Sequence, residues 1–120
     1  MFPAVLMIIA RALVALLFVL AGIAKIIGPA PFLEHMAEHH IPGLLLPAVV
    51  ALELGAGLAL LVGWRAPYAA GLLAAFCVLT AVAFHLDFAD KAERSLFFKD
   101  MALAGGLLAM AISGFGVAAS

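Results

Sequence analysis

Four long apolar stretches, separated by short polar connections, dominate the pattern of this chain. Each is about 20 residues long, which is enough for an α-helix to cross the hydrocarbon core of a bilayer. Apolar residues occupy every face of each stretch, whereas the strands of a membrane barrel alternate with a period of two. The pattern predicts an all-α integral membrane bundle of four transmembrane helices that forms a single domain over residues 1–120. The predicted spans cover about residues 4–27, 44–63, 66–86 and 101–119.

The first connection, GPAPFLEHMAEHHIPG, predicts a short helix of its own. Pro31 suits an early helical position, and Pro42 with Gly43 would end the helix. Apolar residues fall on one face and acidic residues on the other, an arrangement typical of a helix that lies flat in the membrane interface. The second connection is short enough for only a tight turn, and the third, which holds most of the charge, predicts a solvated helical turn.

Composition supports a membrane protein, since 68% of the residues are hydrophobic and 11% are charged. The formal net charge is -1, so nothing indicates a nucleic-acid partner, and the lipid bilayer is the predicted environment. The first apolar stretch lacks a basic region before it and a cleavage site after it, which predicts a retained helix rather than a signal peptide. The bias of lysine and arginine places the first and third connections in the cytoplasm.

Glu53, in the stretch ALELGAG, is an ionisable residue deep within an apolar span. An unpaired charge near the bilayer centre costs about 2.5 to 3.5 kcal/mol, so such residues usually pair inside the bundle. Counting 1.5 Å per residue from the long-connection side puts Arg11 about 21 Å deep and Glu53 about 15 Å deep. We therefore expect Glu53 to pair with Arg11 or with Lys25. Such a pair could serve a ligand, or it could simply fix the register of the helices.

A second polar group should collect where the spans meet the long connections. Its members are Lys25, His85, Asp87, Lys99 and Asp100. His85 could transfer a proton or bind a polar ligand, or it could cap a helix end at the interface. Small residues beside these side chains would let neighbouring helices approach closely. The glycines expected to do so are Gly22, Gly55, Gly57, Gly105 and Gly106.

His35 and His39 are four residues apart on the predicted short helix, which is a metal-ligand spacing. Histidines with this spacing are also common on interfacial helices that bind no metal, so the sequence assigns no metal and leaves these two as weak candidates. Cys77 is the sole cysteine, and it lies inside the third span. One cysteine excludes a disulfide or a two-cysteine redox pair within one chain.

Several stretches, taken in order, resemble the DoxX family of small four-helix membrane proteins. They are Arg11 followed by FVLAGIAK in the first span, ELGAGLALLVGWR through the second, AFH at the end of the third, and FFKDMALAGGLLAM in the fourth. The resemblance covers nearly the whole chain. Relatives often have asparagine where this chain has Asp100, which alters the local charge.

The resemblance implies a four-helix bundle in the bacterial inner membrane. It places recurrent polar and glycine positions of the family at Arg11, Gly22, Lys25, Glu53, His85 and Lys99. Members look like accessory proteins in redox or oxidative-stress settings, and one branch is similar to a subunit of a thiosulfate:quinone oxidoreductase. These implications suggest quinone as a ligand or cofactor, without naming a reaction.

Three hypotheses for function follow. The first is an accessory subunit of redox metabolism, such as a subunit of a quinone-linked oxidoreductase, that binds a quinone-like or other small apolar ligand, or a redox partner protein. No self-contained catalytic motif is present, and a single cysteine cannot hold a multi-cysteine cluster. The second is a proton-coupled exporter that acts as a homodimer through Glu53. The third is a purely structural interaction protein whose small residues mediate helix contacts or oligomers.

Overall fold

The computed structural model describes residues 2–84 and 89–119, with side chains described for residues 3–84 and 89–113. These ranges are helical apart from short connections, and they contain no strand. The helices are α1 (Phe2–Ile27), α2 (Ala30–Glu38), α3 (Leu46–Val62), α4 (Ala66–Phe84) and α5 (Lys91–Ala119), with a 3-10 turn at Gly43–Leu45 before α3. The predicted all-α architecture, with a short helix between the first and second spans, is confirmed.

Among the described residues, four segments are long and apolar enough to cross a membrane: Pro3–Ile27, Gly43–Val62, Ala66–Phe84 and Lys91–Ser113. Each exposes large apolar side chains that water would not favour. Examples are Leu13, Val62, Leu79 and Ile112, which are 67%, 73%, 68% and 69% exposed. Because such side chains are stable against acyl chains, the lipid bilayer is the environment that these helices contact.

The chain divides into two compact units, Met1–Ala66 and Pro67–Ser120. In the first unit, α1 packs against α3. In the second unit, the buried residues of α4 are mostly alanines that recur along one face of the helix, with Leu73 and Cys77 among them. The buried residues of α5, namely Ala104, Leu107 and Ala111, likewise recur at helical spacing.

Glycine and proline set the ends of the helices in the first unit. Pro31 and Pro47 lie in the first turns of α2 and α3, where a missing N–H leaves no hydrogen bond unmade. Gly63 ends α3 in a left-handed conformation with φ 84°, and its N–H donates to the carbonyl of Ala59 at 2.9 Å. Within α2, Met36 is buried and Glu38 is exposed, in keeping with the predicted two-sided helix.

The last helix begins ten residues before the predicted span, at Lys91 instead of about residue 101. The reason is an N-cap: Oδ1 of Asp90 accepts hydrogen bonds from the backbone N–H groups of Ala92 at 2.9 Å and Glu93 at 3.4 Å. The charged segment predicted as a separate helical turn is thus continuous with the fourth span. Asp87, in the same connection, lies outside the described residues.

Candidate functional site

Glycines mark the closest points between α1 and α3. A Cβ added at Gly22 would lie 2.7 Å from Cγ of Leu54, and one added at Gly57 would lie 3.2 Å from Cγ2 of Val19. Gly22 lies opposite Leu54, whereas Val19, three residues earlier in α1, lies opposite Gly57, three residues later in α3. The two helices are therefore antiparallel. This close approach brings polar side chains of the two helices within reach of each other.

Lys25 and Glu53 form an ion pair across the contact between α1 and α3. Nζ of Lys25 lies 2.8 Å from Oε1 of Glu53, and the two side chains are 16% and 3% exposed. The separation is that of an ion pair, although no hydrogen bond of suitable angle to Oε1 is found within the described part of the chain. Glu53 is thus a buried carboxylate whose charge is matched by a cation on the first helix.

An aromatic ring from α2 also contacts the lysine. Nζ of Lys25 lies 4.8 Å from the ring centroid of Phe32, within the range of a cation–π interaction. The ammonium group therefore contacts both a carboxylate and an aromatic ring. Phe32 was not predicted as a site residue, because it lies seven residues beyond Lys25, past the end of α1 and on a separate helix.

An apolar groove opens beside Lys25, between the C-terminal end of α1 and the N-terminal part of α3. Its volume is about 370 Å³, and it is lined by Lys25, Ile26, Leu46, Pro47, Val50 and Ala51. Lys25 is the ionisable residue among these six, and the other lining side chains are aliphatic. The arrangement can accept an apolar chain or ring whose polar end meets the ammonium group.

Of the two partners expected for Glu53, the structure shows Lys25 and not Arg11. The depth count had set Lys25 and Gly43 at the same level, but in the structure a Cβ added at Gly22 would lie 3.6 Å from Cβ of Glu53. Arg11 is eleven residues from Gly22, a separation of about 17 Å along the helix. In this register the start of α3 lies beyond the level of Lys25, and the connection that contains α2 spans the difference.

Arg11 instead lies beside the C-terminal end of α3. A Cβ added at Gly63 would lie 2.6 Å from Nη1 of Arg11, so only glycine leaves room for this guanidinium. Its charge lies near the negative end of the α3 dipole. The Nε atom is buried and finds no hydrogen-bond partner among the described residues. A glycine directly after the second span was the sequence signal for this helix end.

The other predicted polar residues belong to the second compact unit or lie outside the described residues. His85 is outside the described residues. Lys99 and Asp100 lie in the first half of α5, in the second compact unit, where Lys99 is exposed and Asp100 is half-buried. The candidate site in the first compact unit consists of Lys25, Glu53 and Phe32.

The predicted glycines differ in their surroundings. Gly22 and Gly57 lie at the close contact between α1 and α3. A Cβ added at Gly55, Gly105 or Gly106 would meet nothing within 4 Å, so open space surrounds these positions where close packing was expected. Helical spacing explains the open space at Gly55, because this residue faces away from the side of α3 that contains Glu53 and Gly57.

The histidines on α2 come together with a carboxylate. Ligand atoms of His35, Glu38 and His39 all lie within 4.8 Å of one another. Nδ1 of His39 also lies 2.9 Å from the backbone carbonyl oxygen of His35. The spacing predicted the two histidines as a pair, and Glu38 joins them because residues three apart on a helix are neighbours, which places Glu38 beside His35.

Four spans and a buried ion pair between the first two define a small helical integral membrane protein. The DoxX family model matches residues 6–86, a range that includes both members of the ion pair. The chain belongs to the DoxX family, as its motifs indicated. It is 41% identical over 108 residues to "Inner membrane protein YqjF" of Escherichia coli (strain K12), a match that covers 90% of this chain and 83% of that protein. No solved structure matches the chain.

Proposed function

We propose that this protein is an accessory subunit of redox metabolism that binds a quinone-like ligand in the groove beside Lys25. The observation that carries the proposal is the position of Lys25, whose side chain lines an apolar groove while Glu53 holds its ammonium group at 2.8 Å. The similarity to an E. coli inner membrane protein supports placing this chain in the bacterial inner membrane, where quinones are dissolved.

The hydrogen-bond donors of Lys25 suit a quinone head group. An ammonium group has three N–H donors and no acceptor. One donor direction faces the Glu53 carboxylate and one face of the group packs on Phe32, which leaves donor capacity for a carbonyl oxygen at the groove wall. A hydrogen bond from a charged donor stabilises by about 1.5 to 3 kcal/mol, enough to orient a bound head group.

The groove itself supplies the apolar part of the binding. Its aliphatic lining would contact the ring and the isoprenoid tail, and the open side would let the tail extend into the bilayer. Glu53 acts as a positioning residue, because it holds the lysine side chain without lining the groove. Electron transfer would then require a second redox centre, which a partner protein would contribute.

Photocrosslinking tests the proposal directly. The full chain in lipid nanodiscs would be irradiated with a photoreactive ubiquinone analogue, and the labelled peptides would be mapped by mass spectrometry. We expect labelling in residues 46–51, with unlabelled ubiquinone competing and a phospholipid failing to compete. Labelling spread evenly over the exposed faces of α1 and α3 would contradict a specific site.

Matched substitutions separate the groove from the ion pair. Val50→Trp fills the groove and leaves Lys25 and Glu53 in place, while Val62→Trp adds the same ring at an exposed position on the same helix. Lys25→Met removes the donor, and Lys99→Met removes an exposed lysine elsewhere. We expect the first of each pair to weaken binding by about tenfold or more, equivalent to about 1.4 kcal/mol, and the second to leave it unchanged.

Quinone labelling and a transport assay together distinguish the other two hypotheses. A proton-coupled exporter would have to break the Lys25–Glu53 pair each time that the carboxylate accepted a proton. Loss of proton-coupled transport in Glu53→Gln vesicles, with no quinone labelling of the native chain, would favour the exporter. Absence of both labelling and transport, with an unchanged cell phenotype for Lys25→Met, would favour a purely structural role.

A further inference from the structure

We propose that His35, Glu38 and His39 bind a divalent first-row transition metal ion, with Zn²⁺ as the preferred class. The three residues lie at the C-terminal end of α2, outside the groove beside Lys25. Their ligand atoms, two imidazole nitrogens and one carboxylate oxygen, all lie within 4.8 Å of one another. This site goes beyond the proposed quinone binding and does not depend on it.

The distances require only a small adjustment for a metal to bind. Ligand atoms bound at about 2.0 to 2.1 Å in a tetrahedral Zn²⁺ site are about 3.3 Å apart. Nδ1 of His35 already lies 3.9 Å from Oε2 of Glu38. Because the Glu38 side chain is 72% exposed, a change of its rotamer can shorten the distance between these two atoms without disturbing a packed core.

Hydrogen bonding orients one of the proposed ligands. A carbonyl oxygen can only accept, so the contact between His39 and the carbonyl of His35 assigns the Nδ1 proton to His39. That tautomer leaves a lone pair on Nε2, the form in which a neutral histidine coordinates a metal. Metal-bound histidines commonly donate their other N–H to a backbone carbonyl in this way.

The local charge favours a cation at this end of α2. Residues 28–43 contain two glutamates, Glu34 and Glu38, and no lysine or arginine. Glu38 is the last residue of α2, where the helix dipole disfavours a carboxylate and favours positive charge. A bound dication would balance the negative charge of the glutamates and would interact favourably with the C-terminal end of the helix dipole.

The donor set selects the class of metal. Imidazole nitrogens suit zinc, copper, iron and nickel, whereas Mg²⁺ and Ca²⁺ prefer sites made of oxygen ligands. Three protein ligands from one helical turn also leave a coordination position for water or for a ligand from elsewhere. The site resembles an open, exchangeable metal site more than a closed structural one.

The test uses the full chain in nanodiscs, purified without a polyhistidine tag. Equilibrium dialysis against ZnCl₂, with MgCl₂ as the comparison, measures stoichiometry and affinity. We expect one Zn²⁺ per chain and no Mg²⁺ bound at the same concentration. Electron paramagnetic resonance with Cu²⁺ as the probe should report two nitrogen ligands.

Substitutions assign the ligands. His35→Ala and His39→Ala should each weaken Zn²⁺ binding by at least about tenfold, and Glu38→Gln should weaken it while the two-nitrogen Cu²⁺ signal remains. His40→Asn is the matched control, since it removes an adjacent imidazole and asparagine tolerates the positive φ of 58° at this position. Circular dichroism without metal checks that each variant keeps its helices.

Two outcomes would overturn the proposal. One is a native chain that binds Zn²⁺ no more tightly than the His35→Ala/His39→Ala double variant, which would mean adventitious binding only. The other is a Cu²⁺ signal with a single nitrogen ligand, or one that disappears in His40→Asn and persists in His35→Ala.

Discussion

Nζ of Lys25 lies 2.8 Å from Oε1 of Glu53, and this contact joins the first and second spans of the protein. Removing one partner from a buried ion pair leaves an uncompensated charge, which typically costs about 3 to 5 kcal/mol. We therefore predict that Lys25→Met lowers the free energy of unfolding by that amount. Reversible denaturation in mixed micelles measures the change.

A double-mutant cycle shows whether the loss comes from the unpaired carboxylate. Lys25→Met/Glu53→Gln should recover most of the stability, because the buried charge has been removed with its partner. Lys99→Met, at an exposed lysine, should change the unfolding free energy by less than about 0.5 kcal/mol. A double variant no more stable than Lys25→Met would contradict the assigned pairing.

Gly22 permits the close approach of α1 and α3 beside this pair. A Cβ there would lie 2.7 Å from Cγ of Leu54, so Gly22→Ala must displace the leucine or separate the helices. We expect a loss of about 1 to 3 kcal/mol in unfolding free energy, the usual cost of overpacking. Leu54→Ala in the same chain should reduce the penalty of Gly22→Ala, because it removes the clashing side chain.

Gly55→Ala is the matched control for Gly22→Ala. Gly55 has open space around the position of a Cβ and lies within α3. Replacing a helical glycine with alanine should be neutral or should stabilise by about 0.5 to 1 kcal/mol. Equal destabilisation by both substitutions would mean that Gly22 does not mark a close contact.

The backbone conformation at Gly63 and the space around it both require glycine. Its φ of 84° is unfavourable for a residue with a Cβ, and a Cβ would also lie 2.6 Å from Nη1 of Arg11. We predict that Gly63→Ala destabilises by more than the roughly 1 kcal/mol attributable to the backbone alone. Gly63→Ala/Arg11→Ala should lose only the backbone part relative to Arg11→Ala, as thermal unfolding would show.

Much of the architecture could be predicted from the chain alone, because a bilayer imposes a length and a composition on every span. Glu53 was predictable as a site residue for the same reason, since an ion in hydrocarbon needs a partner. Its actual partner depended on the register of α3 against α1. Register is set by packing at Gly22 and Gly57, which counting residues from the connections does not capture.

The remaining differences have equally local causes. The early start of α5 follows from Asp90, whose side chain caps the helix three residues before Glu93, a pattern typical of a helix start. Phe32 could not be predicted because its contact with Lys25 depends on how α2 folds back from the end of α1. A turn of this kind is determined by tertiary contacts rather than by periodicity.

Phe32 should control how readily small molecules reach Lys25. Its ring lies 4.8 Å from Nζ, and a cation–π contact of this kind stabilises by about 0.5 to 1 kcal/mol at a partly exposed site. We predict that Phe32→Leu raises the rate of Lys25 modification by a small amine-reactive reagent about two- to fivefold, the factor that this energy implies. Mass spectrometry of the labelled peptides gives the rate, with Lys99 in the same chain as an internal reference.

Phe98→Leu is the control for this experiment, because it makes the same change at an exposed phenylalanine of α5. It should leave the modification rate of Lys25 unchanged. If Phe32→Leu had no effect either, the ring would not shield the ammonium group. Lys25 would then be protected by Glu53 and the groove lining alone, and α2 would have no part in access to the site.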